Sequence, residues 1–383
     1  MTNRISRRRF LKSTLAGGCA FCFLSGLPLA TRPSYAGIFS DDKKKEIKLR
    51  ECMFYDKKPE MKIECQICPR KCAVADAERG YCGVRENLKG TYYTLVHSYP
   101  CSIHTDPIEK KPLFHFLPGT LAYSLATAGC NIECKFCQNW EIAQFRPEQV
   151  ESIYLPPSEV HKNAKAEGAL TIAGTYSEPT IFYEYLYDIA KLSQKTDIRT
   201  VMISNGFIQE KPLREITKYL AAIKIDFKGF TGKFYKEICS GELRPVLETL
   251  VRLKKIGIWT EIVVLIIPTL NDSEKEFKNM TKWIVANLGK DVPVHFTRFH
   301  PTYKIKNLPP TPVATLEMAR EIAQTSGINF AYVGNVPGHP GENTYCPKCK
   351  TTVIDRVGFY IRENNLKAGK CSKCGNKIPG VWS

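Results

Sequence analysis

An apolar run, Leu121–Ala128, continues directly into the loop Gly129-Cys130-Asn131-Ile132-Glu133-Cys134-Lys135-Phe136-Cys137-Gln138-Asn139. The three cysteines have the spacing C-x3-C-x2-C. Thiols this close together chelate metal, and three thiolates can hold three irons of a four-iron cluster while the fourth iron stays open. A zinc loop with a distant fourth ligand is the alternative. The stretch predicts a metal-binding loop at the end of a strand.

Further apolar, β-branched runs follow at regular intervals, with helix-like stretches between them. After Leu121–Ala128, the further runs are Ala169–Gly174, Ile198–Ser204, Ala222–Phe227, Thr260–Ile267, Val292–Phe299 and Phe330–Val333. Ser273 with Glu276 has the pattern of a capping box, and Thr311-Pro312 that of a cap followed by a first-turn proline. Alternating strands and helices favour a parallel sheet. The predicted fold is α/β, a partial (β/α)6 TIM-like barrel.

Polar residues stand where these predicted strands end. Glu178 follows the second strand, Asn205 the third, Asp226 closes the fourth and His300 follows the sixth. Catalytic groups of such barrels lie at the carboxyl ends of the strands. We therefore expect these side chains near the cysteine loop, although Asn205-Gly206 also suits a simple turn and Asp226 a helix cap.

Two more cysteine groups flank the predicted barrel. Cys346, Cys349, Cys371 and Cys374 form two C-x-x-C pairs, which predict a zinc-ribbon-like module, with a rubredoxin-like iron site as the alternative. Cys65, Cys68, Cys72 and Cys82 lie close together in the N-terminal segment and predict either structural zinc or an auxiliary cluster. Three remaining thiols, Cys52, Cys101 and Cys239, are expected to be ordinary buried cysteines.

The first 36 residues have the pattern of a targeting segment. Ser6-Arg7-Arg8-Arg9-Phe10-Leu11-Lys12 precedes an apolar stretch and the small-x-small site Ser34-Tyr35-Ala36, as in a twin-arginine signal peptide. Cys19 and Cys22 lie within the apolar stretch and are expected to be small hydrophobes there. The segment predicts export to the periplasm or the membrane surface, with membrane contact only through this segment. A cytoplasmic protein is the alternative.

The domain organisation predicted from these patterns has four parts. They are the signal peptide 1–36, a Cys-rich segment 50–118, the barrel 119–340 and the ribbon-like module 341–383. The net charge of +17 suits phosphates, an acidic partner or a membrane face. No recognised nucleic-acid module accompanies that charge, so we do not expect a nucleic-acid partner.

The cysteine loop, with aromatic Phe136 before its third cysteine, resembles that of the radical S-adenosylmethionine (SAM) superfamily. Three further segments extend the resemblance: Cys65-Gln66-Ile67-Cys68-Pro69-Arg70-Lys71-Cys72, Asp106-Pro107-Ile108-Glu109-Lys110-Lys111-Pro112-Leu113 and Tyr332-Val333-Gly334-Asn335-Val336. Together they resemble the radical SAM member of the AmmeMemoRadiSam system, itself similar to pyruvate formate-lyase activating enzymes. Thr175-Tyr176-Ser177-Glu178 stands where the superfamily has Gly-Gly-Glu, so both glycines are replaced.

The resemblance implies a 4Fe-4S cluster on Cys130, Cys134 and Cys137, and SAM bound near Phe136, Glu178, Asn205 and Asp226. Reductive cleavage of SAM would yield a 5′-deoxyadenosyl radical that abstracts hydrogen from an unknown protein or small molecule. It also implies an external one-electron reductant and Memo-like and AMMECR-like partners. Alternatives are a glycyl-radical enzyme activase proper, and a non-enzymatic multi-metal binding or electron-transfer protein.

Overall fold

The computed structural model describes residues 48–383. The predicted signal peptide, with Cys19 and Cys22, lies outside the described residues. Within residues 48–383, none of the helices has the length and apolar character needed to cross a bilayer.

The N-terminal Cys-rich segment folds into two small antiparallel sheets. Its strands are β1 (Arg50–Glu51), β2 (Tyr55–Lys57), β3 (Ile63–Cys65), β4 (Ala73–Val74), β5 (Arg85–Leu88) and β6 (Thr91–Thr94). One sheet has the order β1-β6-β5 and the other β2-β3-β4. The buried ion pair of Arg85 with Glu184, 2.6 Å between Nη2 and Oε2, ties this segment to a barrel helix.

An eight-stranded sheet forms the body of the molecule. Its strands are β7 (Ser102–Pro107), β8 (Leu121–Ala126), β9 (Thr171–Gly174), β10 (Arg199–Ser204), β11 (Ala222–Asp226), β12 (Trp259–Ile266), β13 (Val294–Arg298) and β14 (Ala331–Gly334). They lie in the order β14-β13-β12-β11-β10-β9-β8-β7, so the edge strands do not pair with each other. From β8 to β14 all pairings are parallel. The predicted partial barrel is confirmed.

Strand β7 is an addition that the sequence did not predict. It pairs antiparallel with β8, from Ser102 opposite Ala126 to Pro107 opposite Leu121. Its composition, Ser-Ile-His-Thr-Asp-Pro, lacks the apolar run of the other strands because none of its side chains is fully buried. An edge position also tolerates its proline.

Helices cover the outside of the sheet. They are α1 (Trp140–Ala143), α2 (Pro157–Ala166), α3 (Tyr183–Ser193), α4 (Glu210–Ile216), α5 (Gly232–Cys239), α6 (Leu243–Ile256), α7 (Glu274–Leu288) and α8 (Val313–Thr325), with 3-10 turns at Ile108–Lys110, Pro147–Gln149 and Pro340–Glu342.

Only one of the two predicted helix caps is present. The Ser273 hydroxyl accepts from the Glu276 amide at 3.2 Å and caps α7. The predicted cap at Thr311 is wrong, because Pro312 takes that position and the Thr311 hydroxyl donates to the carbonyl of Ile266 at 2.5 Å. Thr311 thus joins the segment before α8 to the end of β12.

The C-terminal module contains β15 (Thr344–Tyr345), β16 (Thr352–Val357), β17 (Tyr360–Asn364), β18 (Leu366–Lys367) and β19 (Lys370–Cys371). Its Cys346 and Cys371 share an apolar core with Phe114, Phe330 and Tyr332 of the barrel. His115, fully buried, bridges the two parts: its ring nitrogens lie 2.5 Å from the Tyr332 hydroxyl and 2.6 Å from the Pro379 carbonyl.

Candidate active site

A cavity of about 390 Å³ opens at the carboxyl ends of the barrel strands. It is lined by seven residues that the sequence singled out, namely Cys130, Cys134, Phe136, Cys137, Glu178, Asn205 and Asp226. The structure thus brings together residues from the ends of four strands, as a (β/α) barrel requires of a catalytic site. His300, by contrast, is exposed and does not line the cavity.

The cysteine loop is fixed by backbone contacts on both sides. The amides of Glu133 and Lys135 donate to the carbonyls of Cys239 and Ile238, each at 2.9 Å. Gly129 has φ +90°, and a Cβ there would lie 2.7 Å from the carbonyl oxygen of Cys82. The loop therefore depends on glycine both for its left-handed backbone and for the approach of the N-terminal segment.

Asn205 connects the third strand to the cysteine loop. Its Nδ2 donates to Oδ1 of Asn131 at 2.8 Å and lies 3.9 Å from the sulfur of Cys130. Its Oδ1 accepts from the Phe207 amide at 2.9 Å, and Gly206 has φ +73°. Asn205 therefore both forms the Asn-Gly turn and directs its side-chain amide toward the cysteine loop.

Glu178 is buried and its carboxylate is occupied by protein donors. Oε1 accepts from the amide and hydroxyl of Thr180 at 3.0 and 2.7 Å and from the Ser204 hydroxyl at 2.7 Å. Oε2 accepts from the Asn205 amide at 2.8 Å. Burial raises the pKa of Glu178, although these donors oppose it. The carboxylate consequently positions the turn that carries Asn205.

Asp226 lies between two lysines on the floor of the cavity. It pairs with Lys224, and its Oδ2 lies 3.2 Å from Nζ of Lys228. Although burial opposes the shift, Lys224 and Lys228 lower the pKa of Asp226 to about 2. One carboxylate is therefore held between two lysine side chains, beside the loop that carries Cys134.

Sequence reasoning missed the wall formed by Lys111, Tyr176 and Asp106. The Tyr176 hydroxyl donates to Oδ2 of Asp106 at 2.7 Å, and Nζ of Lys111 lies 2.8 Å from the same oxygen and 3.0 Å from the hydroxyl. Tyr176 has φ +62°, the left-handed conformation that a glycine adopts without cost. The available signal in the sequence was the segment Asp106–Leu113, which carries part of the family resemblance.

The C-terminal cysteines form a compact thiol group. The sulfurs of Cys346 and Cys374 are 3.6 Å apart, those of Cys349 and Cys371 are 3.7 Å apart, and all four lie within 4.8 Å of one another. The Thr351 hydroxyl and amide lower the pKa of Cys349 to about 6. The four thiols can hold one metal ion.

The N-terminal cysteines lie where β3, β4 and the turn before β5 meet. Cys65 and Cys68 are buried, and the Tyr81 amide donates to the sulfur of Cys72 at 3.5 Å. Burial raises the pKa of Cys65 to about 11, and the charges of Cys82 and Cys72 add to that shift. The four thiols are therefore within electrostatic range of one another.

Known proteins resemble this chain in sequence and in structure. A sequence profile of the radical SAM superfamily matches residues 124–284. A solved radical SAM methyltransferase from Sphaerobacter thermophilus superposes with a TM-score of 0.46 at 13% identity, covering 59% of this chain and 71% of that one.

Two curated proteins are similar to this chain in sequence. An uncharacterised protein of Methanocaldococcus jannaschii is 44% identical over 332 residues, which are 86% of this chain and 99% of the relative. The pyruvate formate-lyase-activating enzyme of Clostridium pasteurianum is 25% identical over 181 residues, 45% of this chain and 72% of that enzyme. With the profile match, these relatives confirm the predicted family: the chain belongs to the radical SAM superfamily and is an enzyme similar to pyruvate formate-lyase-activating enzymes.

Proposed function

We propose that this enzyme binds a 4Fe-4S cluster through Cys130, Cys134 and Cys137 and uses it to cleave SAM. When bound, such a cluster would supply one electron that breaks a C–S bond of SAM, which releases methionine and leaves a 5′-deoxyadenosyl radical to take a hydrogen atom from a substrate. The observation that carries the proposal is the meeting of the three cysteines with Glu178, Asn205 and Asp226 in one cavity.

The residues around the loop fit such a cluster and its ligand. Thiolates are the ligands that iron–sulfur clusters take from proteins, and all three thiols line the cavity. Asn205 would hold the Cys130 side of the loop through Asn131, while Glu178 fixes the Asn205 backbone. Lys228 would supply positive charge for a carboxylate or for the anionic cluster, because, although burial opposes it, the charge of Asp226 raises the pKa of Lys228.

The proposed substrate is a protein or small molecule that gives up a hydrogen atom to the radical. We further propose that the enzyme acts in an AmmeMemoRadiSam system with Memo-like and AMMECR-like partners and an external one-electron reductant. Activation of a glycyl-radical enzyme is the second candidate, and the similarity to the activating enzyme of Clostridium pasteurianum favours it.

The C-terminal cysteines are proposed to hold zinc. Zn–S bonds of about 2.3 Å place the sulfurs of a tetrahedral site about 3.8 Å apart. The distances of 3.6 and 3.7 Å agree with that geometry. Cys346 and Cys371 also belong to the core that joins the module to the barrel, so the metal would stabilise this junction.

Export by the twin-arginine pathway is proposed from the sequence pattern of residues 1–36. Replacing Arg7 and Arg8 together by lysine should abolish processing, and the chain should then remain in the cytoplasm. Fractionation of cells that express the full chain would measure this. A wild-type chain that stays unprocessed in the cytoplasm would support the cytoplasmic alternative.

The central experiment is cleavage of SAM by protein purified without oxygen. After reduction with dithionite, wild type should produce 5′-deoxyadenosine, and Cys134→Ala should produce none because one cluster ligand is lost. Cys101→Ala is the matched control, since Cys101 lies outside the cavity. Undiminished cleavage by Cys134→Ala would remove that residue from the site, and a wild type that binds zinc alone would support the non-enzymatic binding protein.

A further inference from the structure

The hairpin of β16 and β17 has a sharp turn with an aromatic residue at its tip. Its two turn residues are Gly358 and Phe359, and the flanking residues Val357 and Tyr360 lie opposite each other. Gly358 has φ +60°, a positive angle of the kind that the common two-residue hairpin turns require and that glycine adopts without cost. The turn therefore places Phe359 at the end of the hairpin.

Buried polar contacts hold this hairpin across the open side of the barrel, between the edge strands β7 and β14. Nη2 of Arg356 donates to the carbonyl of Phe114, in the segment that follows β7, at 2.8 Å. Nη1 of Arg356 donates to the hydroxyl of Thr344, beyond β14, also at 2.8 Å. The Gly358 amide donates to Oε2 of Glu342 at 3.0 Å, and both Arg356 and Glu342 are buried. Because β7 and β14 do not pair with each other, the hairpin joins the two sides of an opening that the sheet leaves.

Phe359 also lines the cavity that contains the cysteine loop. Asn335, directly after β14, and Lys111, in the segment after β7, line the same cavity. The neighbouring Tyr360 is 73% exposed and does not line it, whereas Phe359 is 40% exposed. The C-terminal module therefore contributes one aromatic residue to the candidate active site, at the side where the barrel has no strand.

We propose that Phe359 closes the open side of the barrel and decides which hydrogen donors reach the radical formed in the cavity. A primary carbon radical takes hydrogen from many kinds of C–H bond, so a selective enzyme has to keep other donors out of the site. Replacing the ring by a methyl group would open the side of the cavity between Lys111 and Asn335. The closure rests on the geometry of the hairpin, and the role in selectivity rests on the proposed cleavage of SAM.

The first test measures access to the cavity without SAM or turnover. Bathophenanthroline disulfonate, a bulky iron chelator, is added to the full-length, cluster-loaded protein, and the absorbance of its iron complex gives the rate of iron loss. Phe359→Ala should lose iron about threefold faster than wild type or more, because the chelator can enter from the side. Phe359→Trp should lose it no faster than wild type, and so should Tyr360→Ala, the matched control outside the cavity.

The second test identifies the hydrogen donor during SAM cleavage. Fully deuterated 2-propanol is added to the reduced enzyme with SAM. The 5′-deoxyadenosyl radical removes deuterium from carbon 2 of the alcohol, so that one C–D bond breaks, one forms at C5′, and an alcohol radical remains. Mass spectrometry gives the deuterated fraction of the 5′-deoxyadenosine. That fraction should be about threefold higher in Phe359→Ala than in wild type, and unchanged in Phe359→Trp and Tyr360→Ala.

The outcomes of the two tests separate this inference from the proposed function. Equal rates of iron loss in wild type and Phe359→Ala would overturn the closure. Faster iron loss with an unchanged deuterated fraction would overturn the role in selectivity. Equal increases in Tyr360→Ala and Phe359→Ala would mean that the hairpin as a whole, not Phe359, closes the opening. A wild type that loads iron but yields no 5′-deoxyadenosine would overturn SAM cleavage and the selectivity that rests on it, while the chelator still decides the closure.

Discussion

The hydroxyl of Tyr176 donates a 2.7 Å hydrogen bond to Oδ2 of Asp106, across 70 residues of chain. The bond joins edge strand β7 to the segment that follows β9, and so closes one wall of the cavity. The carbonyl of Tyr176 also accepts from Nδ2 of Asn139 at 2.8 Å, at the end of the cysteine loop. Tyr176 therefore connects the edge strand, the second barrel strand and the loop.

Because the backbone of Tyr176 is left-handed, we expect Tyr176→Gly to be more stable than Tyr176→Ala, the reverse of the order usual elsewhere. Tyr176→Gly and Tyr176→Ala lose the same hydroxyl, but glycine adopts φ +62° without the steric cost of a Cβ, about 1 kcal/mol. The glycine variant should therefore unfold at the higher temperature, by about 2 °C for a chain of this size. Scanning calorimetry of the anaerobically loaded protein measures this. At exposed Tyr154, the matched control, glycine should be no better than alanine. The same order at both positions would contradict the strain argument.

Removing the charge of Asp106 alone should lower the stability of the protein more than removing both partners of its ion pair with Lys111. Asp106→Asn leaves Lys111, whose side chain is 2% exposed, without its carboxylate. Removing one partner of a buried pair costs about 3 kcal/mol, whereas an apolar replacement of the lysine relieves that cost. The double variant Asp106→Asn, Lys111→Met should accordingly be more stable than Asp106→Asn alone. Additive losses in thermal unfolding would mean that the pair is not coupled.

Glu178→Gln should weaken SAM binding although the carboxylate itself is occupied by protein donors. The amide group of glutamine would point a donor at the Asn205 amide or at the Thr180 and Ser204 donors, so the turn that carries Asn205 should shift. We expect the Kd for SAM to rise about tenfold or more, a free energy of about 1.4 kcal/mol. Equilibrium dialysis on cluster-loaded protein checks this. Glu141→Gln, an exposed control in the adjoining helix, should bind normally. Unchanged affinity in Glu178→Gln would exclude this positioning role.

Acid should weaken the junction between the barrel and the C-terminal module. Burial lowers the pKa of His115 from 6.5 to about 4 in the folded protein. The unfolded chain therefore binds more protons between these values, so stability is full above pH 6.5 and is lost as the pH falls toward 4. The shift corresponds to about 3 kcal/mol.

The measurement for His115 is thermal unfolding between pH 4 and 7. His115→Gln should be less stable than wild type near neutral pH, because its contacts with Tyr332 and Pro379 change, but its stability should fall less steeply with acid. His300→Gln, an exposed control, should follow the wild-type curve. Parallel curves for wild type and His115→Gln would show that another group controls the acid transition.

Local sequence patterns predicted much of the fold. The seven apolar runs predicted the parallel strands, and Ser273 with Glu276 predicted the start of α7. Strand β7 could not be predicted in this way, because an edge strand keeps few buried side chains and has no apolar run. The predicted cap at Thr311 was wrong because a tertiary contact intervenes: its hydroxyl donates to the carbonyl of Ile266, at the end of β12.

The C-x-x-C pairs and the C-x3-C-x2-C loop could be recognised from the chain alone, because such short spacings place neighbouring thiols on one loop. It also indicated Glu178, Asn205 and Asp226, since parallel strands share one carboxyl edge. The meeting of Asp106, Lys111 and Tyr176 and the packing of the Cys82 carbonyl on Gly129 could be seen in the folded protein alone. Such contacts depend on sheet register and on how two modules dock, which spacing along the chain does not encode.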